Sequence, residues 1–304
     1  MALTKTSNQV IQQPYRKNFL INGCMRVAQR AVANISNSTQ FGAVDRWKAR
    51  LTTATAGTIT QLTTASTTVN AHALLLAGMS CSAGGLVVIE QYIESRNSVY
   101  LRGKTITFSC LLYHDFGATT NFTFYLYNPT AKDDFTSSTQ FANSPAIPIP
   151  HNAYTRMTWT VTLGATDATN GLRFQILSDA VTLTAKGVAV GEAQLELGSV
   201  ATPFEFRPYA QELALCQRYY EKSDNAIWSG MSTSGSPYYL TIPYKVTKRV
   251  APIKTAAVVY NNGFPNNPPT LSGGGSEVFM AEMVAASTTP SSYFQFSWTA
   301  DAEF

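Results

Sequence analysis

The chain has 304 residues, of which 13% are charged, with 22 basic against 18 acidic side chains and a net charge of +4. Charge is sparse beside the ~25% of an average soluble domain, and the basic residues are scattered apart from Lys245, Lys248 and Arg249, so the electrostatic footprint of a nucleic-acid binder is absent. No signal-peptide core and no apolar run of ~20 residues occurs, which argues against secretion by that route and against membrane insertion.

At this length two domains can each bury a core. Cys24, Cys81, Cys110 and Cys216 lie far apart with no C-x-x-C pair, the pattern of reduced, buried thiols in a protein made in a cytoplasm. Residues 1–17 are polar and form an extended arm that needs something to dock on. From 18 to 208 the sequence resolves into short strands. Residues 155–163 place Met157, Trp159, Val161 and Leu163 in alternation with Thr158, Thr160 and Thr162, the period of a half-buried strand. Asn170-Gly171 closes a polar loop before the next strand, 172–177. Segments 103–113 and 121–127 behave alike, and the sum is an all-β jelly-roll sandwich.

Residues 209–222 differ. Pro208 suits a helix start, and a helix over 209–221 would carry Leu213, Cys216 and Tyr220 on one face. Three turns are marginal alone, so these three residues are candidates for an oligomer interface. Beyond the helix, 223–304 returns to strands at 236–246, 252–260, 276–286 and 292–300, a second and smaller β domain expected at the distal end. Between the second and third of these, the Pro-, Gly- and Asn-rich stretch 261–275 is expected to be an irregular surface loop.

Catalytic signals are weak. Extended as a strand, 188–197 puts Glu192, Gln194 and Glu196 on one face, with the two carboxylates roughly 13 Å apart, too far for the pairs of about 5–9.5 Å that glycosidases use. Ser80 in G-M-S-C-S lacks the final glycine and following helix of a nucleophile elbow. His72, His114 and His151 share no metal-ligand spacing, and Asp133-Asp134 is not a calcium loop. No catalytic residue, metal site or cofactor is therefore assigned. The aromatic surplus of the last region leaves Trp228, Tyr260 and Phe264 as candidates for stacking on sugar rings.

Asn18, Asn22 and Gly23 in K-N-F-L-I-N-G, Gln29-Arg30, and Asp45-Arg46-Trp47 together resemble the opening of a group of bacteriophage virion proteins with a carbohydrate-binding-module-like jelly roll. Ala28 stands where those proteins carry an aromatic, so no role of that aromatic carries over. Residues 89–113 resemble the middle strands of the group, 193–222 the exit from the domain, and the terminal A-D-A-E-F the endings of tail-fibre proteins. The resemblance implies a virion appendage, a tail fibre, tail tip or head fibre, commonly a homotrimer, held to other virion proteins through residues 1–17. The two-domain β layout with its aromatic loops favours a tail fibre or receptor-binding protein whose distal C-terminal domain binds host cell-surface polysaccharide without turning it over. A capsid decoration, head fibre or connector is the alternative, and a polysaccharide depolymerase a third. On this reading Asp45-Arg46-Trp47 is a core feature, with a bidentate arginine–carboxylate contact and a buried Trp47.

Overall fold

The computed structural model describes residues 17–63 and 72–304; of the expected arm only Lys17 falls inside these ranges. The larger domain is built from β1 (Ala33–Asn34), β2 (Gln40–Phe41), β3 (Lys48–Leu51), β4 (Ala54–Leu62), β5 (Ala73–Gly85), β6 (Val87–Ile93), β7 (Thr105–His114) and β8 (Thr120–Ala131). It continues through β9 (Asp134–Asn143), β10 (Ile147–Ile149), β11 (Thr155–Thr162), β12 (Leu172–Ser178) and β13 (Val181–Leu197), with a single helical turn, α1 (Ser95–Ser98), after β6. One sheet runs β1-β4-β5-β13-β7-β11; the other runs β10-β8-β12-β6-β3-β2, with β9 added beside β8. Every pairing is antiparallel, and neighbours distant in sequence make the jelly-roll sandwich expected from the strand pattern.

Period-two alternation decides which side chains fill the space between the sheets. Phe122, Phe124 and Leu126 of β8, Phe174 and Ile176 of β12, and Phe108 and Leu112 of β7 share one core. Phe108 meets Phe174 at 4.0 Å and Phe124 at 4.4 Å between ring centroids. Burying each such ring is worth about 1.5–3 kcal/mol.

The segment 18–47 is the keel of this domain. The Asn18 amide donates to the Ala193 carbonyl, while its oxygen accepts from Leu20 and Leu195. Asn22, at positive φ, donates to the carbonyls of Val27 and Asp45, and the Trp47 indole donates back to the Asn22 carbonyl at 3.0 Å. Gly23 passes so close to β13 that a Cβ there would sit 2.1 Å from the Ala193 oxygen. Trp47 is fully buried, as expected. Arg46 departs from the expected bidentate contact: one amino group pairs with Glu303, and the other donates to the Tyr92 carbonyl at 2.7 Å. The bidentate pair of this region is Arg218 on Glu94, at 3.1 Å for each bond.

The second helix, α2 (Tyr209–Gln217), is shorter than expected. Tyr220 is not on it but opens β14 (Tyr220–Ser232), because its backbone pairs with Asp301 of the last strand, a partner 81 positions away that local periodicity does not reveal. Cys216 is buried with Ile21, Val27 and Tyr219 of the same chain, and Leu213 packs on that cluster. Glu212 in the first turn accepts from the Asn22 amide and from Arg207. The helix thus finds its packing surface within its own subunit.

The smaller domain consists of β14, β15 (Pro237–Pro243), β16 (Ile253–Asn262), β17 (Thr270–Ser272), β18 (Val278–Val284) and β19 (Thr289–Asp301). Two three-stranded sheets, β14-β19-β16 and β15-β18-β17, enclose its core. The stretch 261–275 is not wholly irregular: Thr270–Ser272 pairs with Met280–Glu282. Entry and exit lie side by side, since Ala302 donates its amide to the Tyr219 carbonyl. Residues 301–304 then reach back to the sandwich, where Arg30 faces Asp45, Asp301 and Glu303 and the Phe304 ring packs against Tyr92, Phe135 and Tyr219.

Candidate functional site

In the smaller domain, Phe264 is buried, meeting Trp228 at 5.3 Å and Phe294 at 5.5 Å. Trp228 lies against Tyr238 at 4.6 Å and packs on the same core. Their rings stabilise the end of the small sandwich, because the Pro-rich loop folds back over it. Of the three aromatic candidates, Tyr260 alone is exposed, edge-on to Tyr293 at 5.4 Å. A cleft bounded by Pro265, Pro268, Pro269 and Met283 has a volume of about 140 Å³, well below the ~300 Å³ at which ligand pockets begin.

A denser arrangement lies on the outward face of the sheet β10-β8-β12-β6-β3-β2. Since Phe122, Phe124, Phe174, Ile176 and Ile89 point into the core, the alternate residues point away from it. Register aligns them in three rows. Tyr127, Arg173 and Tyr92 form the first. Tyr125, Gln175, Glu90, Lys48 and Phe41 form the second, across five strands or about 19 Å at ~4.8 Å per strand. Thr123, Leu177, Val88 and Arg50 form the third. Sequence reasoning did not bring these residues together. The available signal was a polar or aromatic residue at alternate positions of otherwise apolar strands: Lys48 and Arg50, Glu90 and Tyr92, Tyr125 and Tyr127, Arg173 and Gln175.

Glu90 is the hub and is fully buried. One of its carboxylate oxygens accepts from the Tyr92 hydroxyl at 2.6 Å; the other accepts from Arg173 Nε at 2.9 Å and Gln175 Nε2 at 3.0 Å. The Tyr127 hydroxyl donates to Gln175 Oε1 at 3.1 Å, and the Arg173 guanidinium lies 4.8 Å from the Tyr127 ring. These bonds lock the rotamers of two tyrosines, a glutamine and an arginine on a rigid sheet. Burial, reinforced by the Glu90 charge, pushes the Tyr92 hydroxyl well above its ordinary range, so it stays a donor at neutral pH. Phe135 stacks on Tyr92 at 4.5 Å and Phe304 meets it edge-on at 5.9 Å, walling one end of the face at the domain junction.

Chemically, this is a surface of two half-buried tyrosine rings, Tyr125 and Tyr127, beside the Arg173 guanidinium and the Lys48 ammonium, held by a buried layer in which Tyr92 and Gln175 spend their bonds on Glu90 and Tyr127. Rings beside cationic donors can recognise a polar ring with hydroxyl groups. Glu90 is the only carboxylate in the three rows. On β13, Glu192 leaves the alternation expected of it: its φ of 47° and a register shift between Gly191 and Gln194 turn it toward Arg156, whereas Gln194 and Glu196 bond to each other at 2.8 Å. Ser80 accepts the Ala185 amide in mid-strand. His114 sits between the Ile149 carbonyl and the Phe116 amide. Among the described residues no group of three His, Cys, Asp or Glu side chains is placed to hold a metal ion, and no helix is long and apolar enough to cross a membrane.

No protein-family model and no curated protein matches the chain. Among solved structures, the enzymatically active domain of tailspike protein 4 of bacteriophage CBA120 is similar at 13% identity and a TM-score of 0.39. That likeness covers 60% of this chain and 22% of the tailspike chain, so this chain spans about a fifth of that length. The C-terminal family 22 carbohydrate-binding module of Clostridium thermocellum Xyn10B is similar at 16% identity and a TM-score of 0.38, over 56% of this chain and 96% of the module. A putative sugar binding protein from Bacteroides thetaiotaomicron is similar at 9% identity and a TM-score of 0.40, over 60% and 100%. The overlaps are partial, and the chemistry of the site stands on its own side chains.

Proposed function

We propose that this chain is a non-catalytic glycan-binding appendage protein of a bacteriophage particle, and that the glycan lies on the outward face of the seven-stranded sheet. The observation that carries the binding reading is the array of Tyr127, Arg173, Gln175 and Tyr92 locked around Glu90, with the Tyr125 ring beside that of Tyr127 at 6.3 Å. The Tyr127 ring and the Arg173 guanidinium are held in place before any ligand arrives, which spares the ordering entropy that weakens flexible sites. Glu90 already accepts from three side chains and has no second carboxylate beside it, so it is a framework group and not half of a hydrolytic pair.

The virion reading is supported by the motif residues that resemble phage appendage proteins: Asn18, Asn22, Gly23, Gln29, Arg30 and Asp45-Arg46-Trp47 all serve as structural joints of the domain and its junction. Attachment is assigned to residues 1–17. Assembly as a homotrimer is supported by apolar side chains exposed on the small domain, including Met231, Ile253, Val259 and Tyr260, which a monomer would leave in water. Three measurements test the reading together. A glycan array probed with the purified chain should give specific binding, sedimentation should give a trimer, and antibody labelling should mark an appendage of the particle. A blank array with label on the particle would leave a purely structural virion protein, and release of reducing ends from bound polysaccharide would make it a depolymerase.

A further inference from the structure

We infer that the ligand of this face is an acidic saccharide whose anionic group sits on Lys48 and Arg50, an inference that rests on the glycan-binding reading above. The charges on the three rows do not balance. Three cations, Lys48, Arg50 and Arg173, face one carboxylate, Glu90, and Arg173 already engages it at 2.6 Å through its terminal amino group. Among the described residues neither Lys48 nor Arg50 has a side-chain hydrogen bond or ion pair; Lys48 Nζ lies 4.7 Å from the Tyr92 ring centre and 5.1 Å from that of Phe41. Arg50 Nε is buried without an acceptor.

Buried donors without partners are rare in native proteins, because each forfeits its bonds to water. Here one such donor, Arg50 Nε, lies two residues along the same strand, roughly 6.6 Å, from Lys48, a half-buried cation whose amine rests on the Tyr92 and Phe41 rings without a counter-charge in contact. Burial depresses the Lys48 amine below its ordinary value despite the nearby Glu90 charge, consistent with a cation held short of solvent. An oxyanion bridging them would supply the missing acceptor to Arg50 and a counter-charge to Lys48. The fork of a guanidinium fits carboxylate, sulfate or phosphate oxygens in bidentate fashion. Tyr125 lies three strands from Lys48 along the middle row, about 14 Å, so the anionic group and the sugar stacked on Tyr125 belong to different units of an oligosaccharide. Nucleic acid would also offer rings and charge, but Arg173 is neutralised by Glu90, and apart from Lys245, Lys248 and Arg249 of the smaller domain the other basic residues are scattered along the chain.

The test is isothermal titration of the full chain with oligogalacturonate, its methyl ester, a sulfated galactan oligosaccharide and a single-stranded DNA oligonucleotide. Lys48→Met/Arg50→Met is compared with Lys132→Met, which removes an exposed charge on the β8–β9 turn, and thermal unfolding confirms that each variant is folded. One charge-assisted bond is worth on the order of tenfold in affinity. An acidic oligosaccharide should therefore bind at least about tenfold tighter than its uncharged counterpart, and the double variant should abolish that preference while Lys132→Met keeps it. Which acid binds tighter distinguishes a carboxylate from a sulfate. Equal binding of acid and ester overturns the acidic assignment and leaves the glycan reading standing. No binding of these saccharides overturns the acidic assignment, a blank glycan array beside it overturns the glycan reading as well, and DNA binding with the same dependence on Lys48 and Arg50 assigns the face to a different ligand class.

Discussion

Replacing Glu303 with alanine removes the carboxylate that closes the domain junction. Arg46 is 1% exposed at its side chain and Glu303 is 4% exposed. Without Glu303 the guanidinium keeps one bond to the Tyr92 carbonyl and the Tyr219 ring at 3.5 Å, and its Nε has no acceptor. Water does not reach it, so the cost is that of stranding a buried charge, about 3–5 kcal/mol. Arg30 adds little to that sum, because Asp45 and Asp301 still face it at 3.6 and 3.3 Å. Urea unfolding of Glu303→Ala should show that loss, and thermal unfolding should fall by on the order of 6–20 °C. The double variant Arg46→Met/Glu303→Leu, which removes both charges and keeps the volume, should recover most of it. A loss below ~1 kcal/mol in Glu303→Ala, the range of an exposed ion pair, would refute the claim that the chain end is clamped into the sandwich.

Three further outcomes follow from single sites. Gly23→Ala sets a methyl group 2.1 Å from the Ala193 oxygen, and backbone must move to admit it; chemical denaturation should show a loss of about 3 kcal/mol, and wild-type stability would contradict the close approach. His114 is buried between a carbonyl at 2.9 Å and an amide at 3.2 Å, and burial lowers its pKa from 6.5. The unfolded chain then takes up the proton first, so stability should fall as pH drops from 6.5 through the depressed folded value and stay level above it, a slope absent in His114→Gln. Lys48→Met removes an unpaired, half-buried cation and should leave the unfolding temperature unchanged or raise it, by up to about 1 kcal/mol in stability; a loss above about 2 kcal/mol would make Lys48 a structural residue.

The strand pattern was legible because alternation is local. Met157 is buried as the period of 155–163 requires, and the four strands expected beyond residue 223 all occur. What was not legible depends on partners far away in sequence. Tyr220 continues a helical pattern by local spacing, yet pairing with Asp301 makes it strand. Phe264 sits in a Pro- and Asn-rich stretch that looks exposed, but Trp228, Tyr238 and Phe294 form a socket for it. Arg46 was legible as a buried arginine, while its partner Glu303, 257 positions later, was not. The sheet face is the extreme case. Lys48, Glu90, Tyr125 and Arg173 meet only through the register of four strands, and each of them alone looks like an ordinary solvent-side residue of its strand.

The same geometry changes which experiment is informative. Deleting the whole small domain would strip Glu303 and Phe304 from Arg46 and Tyr92, damaging the sandwich whatever the ligand does. Point variants on the face avoid this. The most direct measurement is the affinity of a glycan selected from an array for wild type, Tyr125→Ala/Tyr127→Ala and Tyr260→Ala. Stacking rings of this kind contribute about 0.5–1.5 kcal/mol each beyond their buried area, so binding should weaken by at least roughly tenfold in the sheet-face double variant and remain unchanged in Tyr260→Ala. Binding that survives the double variant and disappears with Tyr260→Ala would move the site to the small domain and contradict the account.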